Sequence, residues 1–423
     1  MVLQTNGKSI IGREFTTING SPHKYLARLN TDGSTDATFD SPSVPDSELV
    51  DNIALQPDGK ILVCGTFGSW NGVPYYSVVR LRPDGSVDAN FNPVQLSSYG
   101  RVESAAGQSD GKVVIGGDFT SVNGTNRNHV ARLNTNGSLD LTFNPGTGAN
   151  DIVTAVALQS NGKAIVGGDF TTMNGATCSH LARLNSDGSL DTNFTASVAP
   201  GNANPYTPTV RFINVLSNDK FLIGGSLSSV SGYSRKGIAL VDADGSVDTT
   251  FNPGSGASLV SAAAVQADGK VLVGGSFLSF NGVPSANVVR LLTNGAVDVG
   301  FNVGSGNSAG SSVYGVAAQQ DGKVIIGGNF YRFNGTSINS IARLNGDGST
   351  STNLQFLEAN QYFGTFLQGT ISNTYRVEWT TNFNTPSLWT PLFNVTLQTN
   401  PQFILDPMPI SGKRFYRAVQ LSP

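Results

Sequence analysis

Residues 152–194 read IVTAVALQSNGKAIVGGDFTTMNGATCSHLARLNSDGSLDTNF. The opening run from Ile152 to Gln159 is apolar and β-branched, as a mostly buried strand should be. Asn161-Gly162 follows, with a glycine where a tight hairpin needs positive φ. A second short strand, Ala164 to Gly168, leads to Phe170 and a further reversal at Asn174-Gly175. Leu181 to Leu184 reads as a third strand, Asp187-Gly188 as another turn, and Leu190 to Phe194 as a weaker fourth strand. Four such strands and their connections take roughly 48 residues.

The phrase recurs. Lys8, Lys60, Lys112, Lys163, Lys220, Lys270 and Lys323 close TNGK, PDGK, SDGK, SNGK, SNDK, ADGK and QDGK, at spacings of 50 to 57 residues. A period of this size belongs to solenoids, propellers or arrays. A β-helix has no use for three hairpin signals per repeat, whereas four-stranded meanders packed around an axis cover one another's faces and leave few edges open. The expected fold is all-β: a seven-bladed β-propeller of four-stranded antiparallel blades over residues 1–356.

The phrases V-x-A-V-A-L-Q-x-D-G-K-x-x-V-G-G-x-F and A-R-L-N-x-D-G-S-x-D-x-x-F-N-P-G, joined through N-G, resemble the delta-60 repeat of bacterial, largely exported propeller proteins. The resemblance implies the propeller fold and export, and no particular reaction, because propellers host many functions. Copy one begins with only Val2-Leu3-Gln4 of its first strand. That suggests an excerpt or a processed chain whose signal peptide lies upstream.

Residues 357–423 lose the repeat. Short apolar runs at 363–367, 375–380, 388–393, 402–405 and 414–419 read as five strands. YRVEWTTN and RFYRAV are similar to a small β-sandwich-like module at the C-termini of exported verrucomicrobial and planctomycete proteins.

Composition narrows the function. Of 423 residues, 13% are charged, with a formal net charge of −3, against a usual ~25%. A basic nucleic-acid binder and a disordered acidic tail are both disfavoured. No apolar run approaches the ~18 residues of a membrane-spanning helix. Cys64 and Cys178 cannot staple so long a chain, and neither sits in a CxxC.

His129 and His180 share a place in copies three and four, but neighbouring sheets stand ~10 Å apart, too far for one zinc to reach both at ~2.1 Å. No metal site is expected there. The acidic phrases Asp32 to Asp36, Asp84 to Asp88, Asp187 to Asp191 and Asp242 to Asp248 present carboxylates around tight turns. Ca²⁺ is the functional reading. Hairpin chemistry is preferred, since Asn136-Gly137 and Asn294-Gly295 drop a charge. Arg and Asp recur eight residues apart, as in Arg183 with Asp191, and predict an ion pair or an arginine bond to turn carbonyls. Leu240 beside Asp248 and Arg343 beside Ser351 break that pairing, so other groups must compensate or water must enter. Doubled glycines such as Gly167-Gly168 precede no helix and so are not a phosphate cradle; they mark a bulge or close approach, expected between packed blades. Asn123, Asn334 and Asn394 open Asn-x-Ser/Thr, and the turn reading is preferred over glycosylation.

Copy five is the irregular one, with Asp219 for Gly, Ser231-Gly232 for Asn-Gly and an insertion from Pro200 to Pro208. Its Tyr206, Tyr233 and Arg235 are the expected ligand contacts at the rim, because aromatic and Arg residues are favoured there. The leading expectation is an exported, non-enzymatic scaffold binding a protein or glycan, with no catalytic residues and no cofactor. The alternative is a polysaccharide hydrolase or lyase with acids at the central opening, drawn from the non-repeated Glu48, Asp51 and Glu103.

Overall fold

The structure, a computed structural model, describes residues 1–348 apart from 14, 16, 19–20, 41–48, 202–208, 305, 307–310, 335 and 338–339, and beyond them 364–367, 372–380, 390–398, 402–405 and 415–422. Among the described residues every regular element is a strand, and no helix is long and apolar enough to cross a membrane.

In the fourth repeat the first strand, Val153–Leu158, pairs antiparallel with the second, Ala164–Gly168, which pairs with the third, Leu181–Leu184. Between the second and third strands lies a small hairpin, Thr172–Met173 against Ala176–Thr177, with Asn174 and Gly175 at positive φ as a two-residue turn requires. The fourth strand is reduced to a single bridge between Leu184 and Leu190. Its shortness has a local cause. Asp187 Oδ1 accepts bonds from the Ser189 amide and hydroxyl, and Asp191 Oδ1 accepts the Asn193 amide. Two side-chain-capped turns four residues apart leave room for one bridge.

In their described residues the other six repeats follow this plan, with first strands at Val2–Leu3, Leu49–Leu55, Arg101–Gly107, Phe212–Val215, Val260–Val265 and Ser312–Ala318. The seven blades form an all-β propeller. Apolar clusters sit between the sheets: Val114 and Val130 of blade three meet Val153, Val156 and Val166 of blade four. Ile11, Ala27 and Leu29 of blade one meet Ile325 and Ile341 of blade seven, which closes the ring. Ala164 to Gly168 is buried along its whole length, because a blade has cover on both faces. Each buried Val, Leu or Ile contributes about 1.5–3 kcal/mol relative to exposure.

A polar clamp supplements the apolar contact. Arg183 Nε lies 2.8 Å from Asp191 Oδ2, its Nη1 donates to the Ala243 carbonyl of the next blade, and its Cζ stands 4.8 Å from the Phe194 ring centroid. Arg28, Arg132 and Arg290 reach Pro83, Ser186 and Gly346 in the same way. The arginine therefore bonds both its aspartate and a turn carbonyl, and the carbonyl belongs to the neighbouring blade. Where copy five has Leu240, Lys220 Nζ stays 2.7 Å from Asp248. In copy seven Arg343 turns to Gln319 and Asp321.

The doubled glycines have two separate causes. A Cβ on Gly167 would lie 2.5 Å from Val210 Cγ1 in the next blade, as expected of close blade packing. A Cβ on Gly168 would fall on the Ile152 carbonyl of its own blade, at a bulge where the pairing register shifts between Val153 and Ala155. Blade packing explains the first glycine here and at Gly116 and Gly274, whereas Gly224 meets Phe212 of its own blade; the bulge explains Gly168.

Blade five carries the predicted irregularity. Val198–Pro200, at the start of the insertion, adds a strand to its outer hairpin by pairing with Leu227–Val230.

The chain divides into Met1–Leu357 and Glu358–Pro423. In the second unit Gly364–Leu367 pairs with Gln402–Leu405, and Thr374–Thr380 pairs with both Thr390–Thr396 and Phe415–Ser422. Five strands stand close to where the apolar runs placed them.

Candidate binding site at the ring axis

First strands of successive blades lie side by side. The Val156 amide of blade four donates to Ser104 Oγ of blade three at 3.1 Å, Thr154 Oγ1 donates to the Val210 carbonyl of blade five, and Asn214 Nδ2 donates to the Ala263 carbonyl of blade six at 2.7 Å. First strands are therefore innermost, and in five of them a bulge re-aims one side chain.

Those bulged residues are Asp51, Glu103, Thr154, Ser261 and Tyr314. Arg211 holds the same place in blade five, where its amide donates to the Gly224 carbonyl. Val50, Val102, Val153, Val210, Val260 and Val313 precede them without exception, yet the bulged residue differs in every blade and always carries a polar group.

Blade one contributes Arg13, which stands where the other blades have the second glycine. Val2–Leu3 pairs with Ser9 and Ile10 and does not reach Arg13. The Arg13 guanidinium lies 3.9 Å from the Tyr314 ring centroid, and that of Arg211 lies 6.0 Å from the same centroid. Blades one, five and seven meet here, as only residues near the axis can.

Charge couples the cluster across the ring. Burial first, and then Arg13, lower the pKa of Arg211, while Tyr314, Glu103 and Asp51 oppose the shift; a guanidinium remains charged throughout. The Glu103 carboxyl is pushed up, mainly by burial; Arg101 opposes this and the Asp51 charge adds to it. Arg101 Nε is 2.7 Å from Glu103 Oε1, but its N–H is not aimed along that line, so the pair is close without a formed hydrogen bond. Behind them the buried Cys64 thiol is pushed up by burial and then by Asp51 and Glu103.

Two guanidiniums, a tyrosine and two carboxylates in one electrostatically coupled cluster can hold a ligand that both donates and accepts. Asp51 and Glu103, in equivalent places on adjacent blades, are the acids that could share proton-transfer work.

Of the rim residues, Tyr206 lies outside the described residues. Tyr233 is exposed, while Arg235 is buried at 6% exposure, its Nη1 bonding the Ser234 carbonyl at 2.9 Å and its Cζ 5.8 Å from the Tyr233 ring centroid. Both belong to the outer hairpin of blade five and its exit, away from the axial cluster. Glu48 also lies outside the described residues. Arg13, Arg211 and Tyr314 were missed by the sequence reading. The signal available was the variable position in the repeated V-x-A phrase, which reads Asp, Glu, Thr, Arg, Ser and Tyr along the chain.

The repeated polar residues are engaged in folding. Asp32, Asp84 and Asp244 each accept the amide and hydroxyl of the serine two residues on, as Asp187 does. His129 and His180 sit at φ 64 and 65, with Nδ1 at 3.0 and 3.2 Å from the Gly117 and Gly168 carbonyls. Among the described residues, no three of His, Cys, Asp and Glu come together as metal ligands.

Among solved structures the chain is similar to PorZ of Porphyromonas gingivalis, a surface component of the type-IX secretion system, at 14% identity and TM-score 0.40, over 98% of this chain and 50% of that one. It is also similar to AztD of Citrobacter koseri (11%, TM-score 0.37, 96% and 98%) and to a Bacteroides caccae protein of unknown function (11%, TM-score 0.36, 69% and 91%). No curated protein matches it. A family model described as domain of unknown function (DUF5122) beta-propeller matches once per blade, at residues 4–39, 56–91, 108–143, 159–194, 216–251, 266–301 and 319–350, more than half the sequence, and the chain belongs to that family.

Proposed function

We propose that the protein is an exported, non-enzymatic binding propeller that holds a protein or glycan partner where Arg13, Arg211, Tyr314, Asp51 and Glu103 converge. One observation supports this reading above the rest: a single repeated position, inside repeating surroundings, carries a different polar side chain in six blades. A position that served only the fold would repeat, as Arg183 and its counterparts do. A ligand without sevenfold symmetry needs unlike contacts around one centre. The test compares the full chain with an Arg13→Ala, Arg211→Ala, Tyr314→Ala variant, each immobilised and offered a glycan array and solubilised bacterial surface proteins. The expected result is a ligand that the variant holds about tenfold more weakly or not at all. If no captured ligand depends on these residues, the axial reading falls.

A second reading has its own support. Burial raises the pKa of Glu103, which stands in the place equivalent to the exposed Asp51 of the adjacent blade. In a polysaccharide hydrolase or lyase the two carboxyls would stand ~5–9.5 Å apart. Release of reducing ends or unsaturated sugars by the intact chain, lost in Glu103→Gln, would put this reading in place of the first.

A further inference from the structure

Blades two and three enclose a surface groove of about 580 Å³, lined by Pro74, Tyr76, Asn92, Pro93, Gln95 and Asn123 among others. It is built on the outer hairpins, Ser69–Trp70 with Val73–Pro74 and Ser121–Val122 with Thr125–Asn126, and on the connection after Phe91. None of the axial residues takes part.

This interface differs from three of its counterparts. After Phe143, Phe251 and Phe301 the chain runs through a Gly-x-Gly segment, and the asparagine at its head is engaged: Asn144, Asn252 and Asn302 each accept, through Oδ1, the amide of the glycine two residues on. Blade two reads NPVQLS at residues 92–97 instead. Val94 is buried there, and the side-chain amides of Asn92 and Gln95 are exposed and have no hydrogen-bond partner among the described residues. Asn123 accepts the Gln95 backbone amide through Oδ1 at 2.9 Å, which fixes its carboxamide at the groove wall. Tyr76 is 44% exposed beside two prolines. Its counterparts among the described residues, one residue before the positive-φ position that opens a third strand, are Lys24, Asn128, Ser179, Lys236 and Ala286, none aromatic.

We infer that this groove binds a neutral polysaccharide. A flat aromatic face accepts the C–H face of a sugar ring, and carboxamides that both donate and accept match adjacent hydroxyls. Among the described residues the lining holds no carboxylate, ammonium or guanidinium. An anionic ligand would find no counter-charge, and a purely apolar one would leave the amides unpaired.

The test is native electrophoresis of the full chain through gels containing xyloglucan, galactomannan or soluble starch, with alginate and polygalacturonate as acidic comparisons. At least one neutral polysaccharide should retard the protein and neither acidic one should. Tyr76→Ala and Gln95→Ala should each weaken the retardation about tenfold, and Tyr76→Phe should keep it. The axial triple variant should be retarded like the parent, which separates this site from the axial one. No retardation by any neutral probe, or full retardation of Tyr76→Ala, overturns the inference. Loss in the axial variant alone would do the same.

Discussion

Replacing Gly168 by alanine should destabilise the ring by far more than one methyl group suggests. The added Cβ would fall on the Ile152 carbonyl and come within 3.0 Å of Val153 Cα. Both are backbone atoms, so no side-chain rotation relieves the clash. The first strand can yield only by opening the bulge, which endangers the bond from the Asp169 amide to the Ile152 carbonyl, 3.1 Å, and that from the Gly168 amide to the His180 carbonyl, 3.2 Å. Overpacking costs about 1–3 kcal/mol, and each bond lost adds about 0.5–1.5 kcal/mol. The sum is about 3 kcal/mol or more, a fall of about 6 °C in the melting temperature at roughly 2 °C per kcal/mol.

Calorimetry on the intact chain reads that shift, and two companion variants make it diagnostic. Gly167→Ala would press on Val210 Cγ1 at 2.5 Å, Val210 Cβ at 3.0 Å and Ile213 Cδ1 at 3.2 Å, side-chain rather than backbone atoms, and should cost about 1–2 kcal/mol. Arg13→Ala, in the place equivalent to Gly168, adds no atom and loses its stacking on Tyr314, at a cost of about 0.5 kcal/mol. The expected order of damage is Gly168, Gly167, Arg13. A Gly168→Ala melt indistinguishable from the parent, or a worse one for Gly167→Ala, would refute the bulge and return both glycines to a single role in blade packing.

Two further outcomes follow from the clamps. Arg132→Leu removes the ion pair to Asp140 and the bond to the Ser186 carbonyl, but Lys112 remains 2.9 Å from Asp140, as Lys220 remains beside Asp248 next to the native Leu240. The loss by chemical denaturation should therefore be nearer 2 kcal/mol than the ~3–5 of a stranded buried charge, and adding Lys112→Met should cost more than the two single changes sum to. Acid should act through the same aspartates. Burial raises the Asp36 and Asp140 carboxyls, but bonds from Lys8, Thr38 and Arg28, and from Thr142, Lys112 and Arg132, outweigh it and hold both well below the usual range. Lys220 and then Thr250 bring Asp248 down to about 2. Their stabilisation is complete above the unfolded value of 3.8 and disappears as pH falls from there towards the folded values. Melting should hold level from about pH 7 to 5 and drop below about 4; a steady decline that begins above pH 6 would show that other groups govern it.

The ring was legible because its punctuation is local. Gly162 and Asn174-Gly175 adopt positive φ for reasons contained in a few residues, so they name hairpins without tertiary information. The fourth strand was overread for the same reason: Leu190 looks like the centre of a strand, but Asp187 and Asp191 close turns on either side of it. The compensation around Leu240 was anticipated in kind, although its agent, Lys220, was read only as a marker of the repeat. The axial cluster was only half legible. Asp51 and Glu103 were recognisable as acids outside the repeat, but Arg211 and Tyr314 acquire meaning only when blades distant in sequence meet, and Arg13 stands in a column otherwise filled by glycine.

The same contrast explains why binding residues collect at the bulge. Clamp arginines such as Arg132 and first glycines such as Gly167 sit between two blades, so changing one disturbs an interface of buried contacts. The bulged residue has no ladder partner, and in blades two and three its side chain faces water or other charges rather than a neighbouring sheet. Substitutions at such positions usually change stability by about 0.5 kcal/mol or less, while each alters what a ligand at the axis would touch. A ring of near-identical blades can therefore acquire an asymmetric site at little cost to folding, provided the differences are confined to this position. Asp51, Glu103, Thr154, Arg211, Ser261 and Tyr314 have that distribution.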